Sequence, residues 1–526
     1  MKILFNATVH SLDPLCPQAS VVVIDHDRVT AVGGPELLEA FSACLNRQDM
    51  GGETLLPGLT DAHIHLMNYA FSLQKVDVET ATKAECLRRV AERAQKTAPA
   101  SWLLGHGWQQ NNWAGGFGSA RELDEAAPRN PVYLTAKSLH ASWANSAALQ
   151  LAGITPNTPD PENGKIVRDE SGNPTGILLE SAMALIEAFI PQPTVREAAE
   201  AIRDAVPRLH RMGLTGAHDF DYRTAFMALQ DLHAGAELKL RVLKSVPPDL
   251  LAHAHALGLR SGFGDDMLRI GSYKNFMDGA LGPRTAAMFQ PYLNEPENRG
   301  ILNYDAEQLF EMARTAVESG LSVAVHAIGD RAVHEVLNAY EQLRGYERER
   351  GLPRLRHRIE HVQVIHPSDA RRLAELDIIA SMQPVHAISD MLAADHWWGE
   401  RTQLAYAPRT QLEAGATLAF GSDAPVESPN PFLGLHAAVT RRRADGIPGP
   451  EGWHPEERLS ISQALAGFTS GAAYAAGLED RLGRLSPGYY ADLIALEEDP
   501  FTCDPDALLS MQPSATMLAG EWVWQS

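Results

Sequence analysis

The chain has 526 residues, 45% of them hydrophobic and 21% charged, which excludes a disordered polymer and fits either several domains or one barrel enzyme with insertions. Lys and Arg number 45 against 66 Asp and Glu, a formal charge of −21, so a nucleic-acid partner with its need for a clustered basic surface is not expected. There is no long apolar run, so no membrane partner is expected, and MKILFNATVHSLDP lacks the apolar core of a signal peptide. Cys16, Cys44, Cys86 and Cys503 stand without CxxC spacing and read as reduced, buried thiols of a cytoplasmic protein.

In chain order, residues 1–56 read as short strands (KILFNATVH, SVVVIDHDRVTAVG) around a Pro-containing turn, and residues 480–526 read alike (YADLIALEED, SATMLAGEWVWQ). The two ends are expected to pair into one small sheet domain. Residues 57–70 and 206–479 alternate strands with helices. Eight apolar strands are predicted at 59–65, 214–219, 240–246, 268–276, 322–326, 357–361, 378–382 and 417–421, most followed by helical patterns such as AEQLFEMARTAVESG. This α/β alternation predicts a parallel sheet closed into a (β/α)8 TIM-like barrel. Residues 71–205, rich in Trp, Gly, Asn and Pro, are too long for a barrel loop and are expected to form an inserted subdomain, a lid over the barrel mouth.

Residues two apart on a strand share a face, so His63 and His65 in PGLTDAHIHL can bind one metal ion. A second HxH pair, His253 and His255 in LAHAHALG, lies in a helical pattern, where such residues diverge, and reads as solvated surface. The other predicted strands supply the rest of a set: Lys274 near the end of LRIGSYKNF, His326 closing LSVAVH, His361 closing RHRIEH, and Asp423 after TLAFGSD. Barrel active sites are built at the C-terminal ends of the strands. Imidazoles and a carboxylate suit zinc and related divalent ions. An ammonium cannot ligate a cation, so Lys274 is either neutral, converted to an anion, or a structural partner of Asp278. Asp61 either orients an imidazole or caps the loop.

The order HxH, Lys, His, His, Asp resembles the binuclear amidohydrolase superfamily. The segments LPGLTDAHIHL, GHGW, HASWANSAAL, MDGALGPRTAAM, VHAIGDRAV, RIEHVQV, GSDAPVESPNPFLGLHAAVTRR and GRLSPGYYADLIAL resemble its YtcJ-like, amidohydrolase-3 branch, which includes N-substituted formamide deformylases. The chain departs from that pattern at Gln109, Ser138 and Pro283, all outside the metal set. The resemblance implies a barrel with a small β-sandwich and a metal-dependent hydrolase acting on a non-peptide C–N bond through a metal-activated hydroxide. It implies two divalent ions: His63, His65 and Asp423 on the more buried one, His326 and His361 on the second, and a carboxylated Lys274 bridging them. Asp423 is expected to move the proton as general base and then general acid. Trp108, His140, Asn145, Arg284 and Trp397 stand in motif-like segments as substrate contacts. His140 is expected to donate to a developing oxyanion and Arg284 to grip a carboxylate. The expected partner is a small-molecule amide, with self-association left open. The alternatives are a mononuclear ring deaminase of the same superfamily, which commonly lacks the bridging Lys, and a non-catalytic scaffold.

Overall fold

A computed structural model of the chain describes residues 1–109, 113, 116–136, 141–162 and 164–526. The chain divides into two compact units, Phe71–Thr194 and the remainder, Met1–Ala70 with Val195–Ser526.

The larger unit holds an eight-stranded parallel sheet of β1 (Leu59–Ile64), β2 (Leu214–Asp219), β3 (Arg241–Val246), β4 (Leu268–Phe276), β5 (Val323–Ala327), β6 (Arg358–His361), β7 (Ile379–Met382) and β8 (Leu418–Phe420), in chain order across the sheet. The sheet rolls into a nearly closed barrel. At the seam, Ile64 bridges Ala424 in parallel, Asp423 N–H donates to the His63 carbonyl (2.7 Å), and His65 N–H donates to the Ala424 carbonyl (2.9 Å). β1, β2, β3 and β7 are buried along almost their whole lengths, as parallel strands covered on both faces require. Helix Val195–Arg211 belongs to this unit; Ala198, Ile202, Ala205 and Leu209 form its buried stripe at helical spacing.

The barrel interior is unusually polar. Arg358 is fully buried, with Nε 2.5 Å from Glu360 Oε1, Nη1 3.0 Å from His218 Nδ1 and Nη2 donating to Ser381 Oγ and the Ala62 carbonyl. A buried guanidinium is tolerated when a carboxylate neutralises it and its terminal nitrogens are hydrogen-bonded, as here.

The chain ends form two further sheets. One runs Arg28–Gly33, Val21–Asp25, Lys2–Phe5, Arg47–Asp49; the other runs Glu521–Gln525, Ala515–Leu518, Leu493–Leu496, Thr54–Pro57, Thr8–His10, Gln18–Ala19. Leu4, Val22, Ile24 and Val29 from the first share one apolar cluster with Val9, Leu55, Leu493 and Met517 from the second.

The smaller unit is built on a six-stranded mixed sheet from Val76–Asp77 to Gly164–Arg168. The segment GHGW ends its strand Leu103–Trp108, and Trp108, Trp113 and Trp143 lie in its core. Helix Lys83–Lys96 is capped by Thr82, and helix Ala120–Ala126 by a Ser119/Glu122 capping box.

All four cysteines are free thiols, but only Cys86 is buried; Cys16, Cys44 and Cys503 are half-buried, Cys44 at the margin of the Ile3, Val21 and Val23 cluster. Among the described residues no helix is long and apolar enough to cross a membrane.

Candidate metal centre

β1 carries His63 as its penultimate residue and His65 just beyond its end, while the loop after β8 brings Asp423 against both. His63 Nε2 lies 3.5 Å and His65 Nε2 3.4 Å from the same carboxylate oxygen, Asp423 Oδ1. The remaining nitrogens are taken from outside. Glu360 Oε2 holds His63 Nδ1 at 2.6 Å, and Asp221 Oδ1 lies 3.3 Å from His65 Nδ1. Asp221 is itself fixed by accepting from the Met67 and Asn68 amides at 2.6 and 3.2 Å. An imidazole anchored at Nδ1 by a carboxylate presents Nε2 as a donor, the usual outer support of a metal-ligating histidine.

Asp61 resolves in favour of the loop-capping role. Its carboxylate accepts from the His63 and Ser422 amides, both at 3.0 Å, and from the Ser422 hydroxyl at 2.5 Å, so it clamps the seam backbone and touches no imidazole.

β4, β5 and β6 deliver the next three residues. The His326 and His361 rings lie 4.6 Å apart, and His361 is 4.9 Å from His63. His326 Nε2 is 2.9 Å from the Gly279 carbonyl, so that nitrogen carries the proton and Nδ1 keeps its lone pair. His361 Nδ1 is 2.7 Å from Gln383 Oε1, so Nε2 is the free nitrogen. The Lys274 ammonium is buried beside the rings of Phe220 (4.5 Å) and Phe276 (5.1 Å) and has no hydrogen-bond partner. Asp278 is not its partner: that carboxylate accepts from the amides of Ala287, Ile328 and Gly329 at 2.8–3.0 Å.

The electrostatics fit a cation. Burial, helped by the charge of Lys274, pushes His63 and His326 each down to about 4, and burial takes His361 well below its ordinary range; all three are neutral at pH 7, the form a cation requires. Burial also depresses Lys274, to about 8, against the attraction of Glu360 and Asp423. At His65 burial is outweighed by Asp221 and Asp423, which push the imidazole up to about 9; the carboxylates hold a positive charge where a metal ion would replace the proton. Burial acts against the Asp423 carboxylate too, but His63 and His65 hold it well below the usual carboxylate range. Among the described residues, two groups have ligand atoms all within 4.8 Å of one another: His63, His65 and Asp423, and His361, His386 and Asp423. The donor types, their convergence and the orphaned Lys274 amine fit one or more divalent cations.

Sequence reasoning missed Glu360, Asp221 and His386. Glu360 precedes His361, and strand alternation assigns neighbours to opposite faces. The alternation fails here because His361 has φ 79°, a left-handed conformation that turns its side chain back to the same site. Asp423 has φ 60° for a similar purpose. Such strain in non-glycine residues concentrates at functional sites.

The expected substrate contacts fare differently. Trp108 is buried and donates to the Leu134 carbonyl at 2.9 Å, while Asn145 accepts from the Val132 and Ala148 amides and donates to the Asn130 carbonyl. Both are spent on structure. Arg284 pairs with Glu295 (2.7 Å) and lies over the Trp397 ring (4.7 Å). His140 and Ser138 fall outside the described residues. His253 and His255 are exposed on helix Leu251–Ala256.

Comparison with known proteins agrees with this geometry. The amidohydrolase family profile matches residues 48–524. The chain is 34% identical over 523 residues to the Arabidopsis thaliana protein LONG AFTER FAR-RED 3, covering 95% of this chain and 88% of that one. It is 30% identical over 544 residues to the N-substituted formamide deformylase of Arthrobacter pascens, covering 98% and 97%. Among solved structures it resembles an uncharacterized metal-dependent hydrolase from Pyrococcus furiosus, with TM-score 0.79, 30% identity, and 95% and 100% coverage. The chain therefore belongs to the amidohydrolase family, in its amidohydrolase-3 branch.

Proposed function

We propose that this protein is a metal-dependent hydrolase of a non-peptide C–N bond in a small amide of the N-substituted formamide type. The observation that carries the reading is the convergence of His63 Nε2, His65 Nε2 and Asp423 Oδ1 beside an unpartnered, buried Lys274. The relative named N-substituted formamide deformylase, similar over nearly the whole chain, supports the substrate class. His63, His65 and Asp423 would hold one divalent ion, zinc by donor type; His326 and His361 would hold a second. A bound divalent cation supplies Lewis-acid activation of water and of the scissile carbonyl.

The protein's own groups do the rest. Asp423 accepts a proton from the attacking water and returns it to the leaving nitrogen. Glu360 and Asp221 keep the two β1 imidazoles aimed at Asp423. The uncharged Lys274 amine could add to CO2, an N–C bond forming as one C=O π bond opens onto oxygen and one proton leaves the nitrogen, and the resulting carbamate would lie between the two ion sites. Arg284, over Trp397, binds the substrate's polar end. The two terminal sheets constitute the β-sandwich of the fold.

The test is a panel of N-substituted formamides, acylated amines and cyclic ureas with zinc-reconstituted protein. Formamide turnover, lost in a folded Asp423→Asn variant, is the expected result. No turnover on any member, or full turnover by Asp423→Asn, contradicts the reading.

A further inference from the structure

β7 ends at Met382, and its following helix, Pro384–Trp398, carries His386 in the first turn. His386 is 5% exposed, and its Nε2 is buried with no hydrogen-bond partner. Its ring stacks 6.0 Å from His361, and one of its nitrogens lies within 4.8 Å of ligand atoms of both His361 and Asp423.

Which nitrogen carries the proton follows from a chain of groups behind it, buried at Gln363 and Tyr406 and half-buried at Asp390. Tyr406 has a single hydroxyl proton, and Asp390 Oδ2, an acceptor only, lies 2.7 Å from that hydroxyl. The proton goes to Asp390. The Gln363 amide sits between Tyr406 and His386 and has two settings related by a half-turn. In one, Oε1 faces the Tyr406 hydroxyl oxygen at 3.1 Å and Nε2 faces His386 Nδ1 at 3.2 Å, which leaves two oxygens together with no proton between them. The other gives both contacts of the amide a proton: the amide nitrogen donates to Tyr406, and the amide oxygen accepts from His386 Nδ1–H. His386 Nε2 then keeps a bare lone pair in a dry place, where an unmade interaction is costly, and its ring has a nitrogen within 4.8 Å of an Asp423 carboxylate oxygen.

We infer that His386 is a ligand of the second cation, completing a site with His361 and Asp423, and that Asp390, Tyr406 and Gln363 are positioning residues that fix its tautomer. A histidine held this way parallels His63 behind Glu360 and His361 behind Gln383. The inference rests on the proposed metal-dependent reading of the same site.

The test is zinc binding to the chelator-stripped, full-length protein, read as ions per chain and as the affinity of each step. Wild type is expected to bind two equivalents. His386→Ala is expected to keep the first and bind the second at least about tenfold more weakly. Tyr406→Phe, which frees the Gln363 amide to turn, is expected to weaken the second step by about tenfold without touching any ligand. The absorption spectrum of the cobalt-loaded protein is expected to change in both variants, a readout independent of turnover. Two equivalents with unchanged affinities and spectra in both variants overturn the inference and leave the proposed function standing. Wild type that binds no zinc overturns the proposed function itself.

Discussion

Lys274 presents an amine in a pocket that offers it nothing to bond, and burial of an unpaired charge is among the costliest arrangements in a folded chain. The carbamate proposed for Lys274 would remove that cost. Lys274→Ala is therefore expected to lose most of its bound metal and activity, with partial recovery in millimolar short-chain carboxylic acid; wild-type metal content and turnover in the variant would remove the bridging role. Glu360 acts through His63. Glu360→Gln leaves shape and hydrogen-bond reach but removes the charge facing the imidazole, and the first zinc affinity is expected to fall by about 10–100-fold. Isothermal titration of the stripped protein measures this directly.

Individual elements are held by satisfied buried groups that can be titrated or deleted. His357, at the edge of β6, accepts from the Val323 amide at Nδ1 (3.0 Å), and its Nε2 lies 2.9 Å from Glu347 Oε1 in helix Asp330–Arg350. Only the neutral Nε2–H tautomer meets both demands. Burial lowers the His357 pKa below its ordinary value, more than its bond to Glu347 raises it. Between that depressed folded value and the unfolded value near 6.5, the unfolded chain binds more protons, so the stability due to His357 is full above about 6.5 and is lost as pH falls. Glu347 adds a second loss at lower pH: burial raises its carboxyl, but His357 and Arg344 hold it below the usual range. His357→Gln is expected to cost about 1–3 kcal/mol at pH 8, with the gap to wild type narrowing below pH 6.5 in urea denaturation. A gap that widens on acidification would reverse the sign. In the smaller unit, Asn145 both caps helix Ser146–Leu151 and ties down the Val132 amide. Asn145→Ala is expected to lose about 1–3 kcal/mol with no change in zinc binding.

At the scale of the whole molecule the barrel closes through a narrow contact. A Cβ on Gly421 would stand 2.3 Å from the His63 amide nitrogen and 2.7 Å from Asp61 Oδ1, so only glycine lets the loop after β8 reach β1. The eight strands were legible because most contain a short apolar stretch followed by a helical pattern, and a His, Lys or Asp at or near the end of several of them marks the C-terminal rim. The inner supports were not. Glu360 hides behind an alternation that the left-handed His361 breaks, and Asp221 and His386 come from a turn and a helix start, where periodicity carries no signal. Tryptophans such as Trp108 were indistinguishable in sequence from pocket linings, since packing and binding use the same surface.

The metal centre is tested most directly by anomalous scattering at the zinc edge from crystals of the zinc-loaded protein. A peak is expected in contact with His63 Nε2, His65 Nε2 and Asp423 together, at the rim where β1 meets the loop after β8. Zinc bound only elsewhere, or no peak there under saturating zinc, would contradict it.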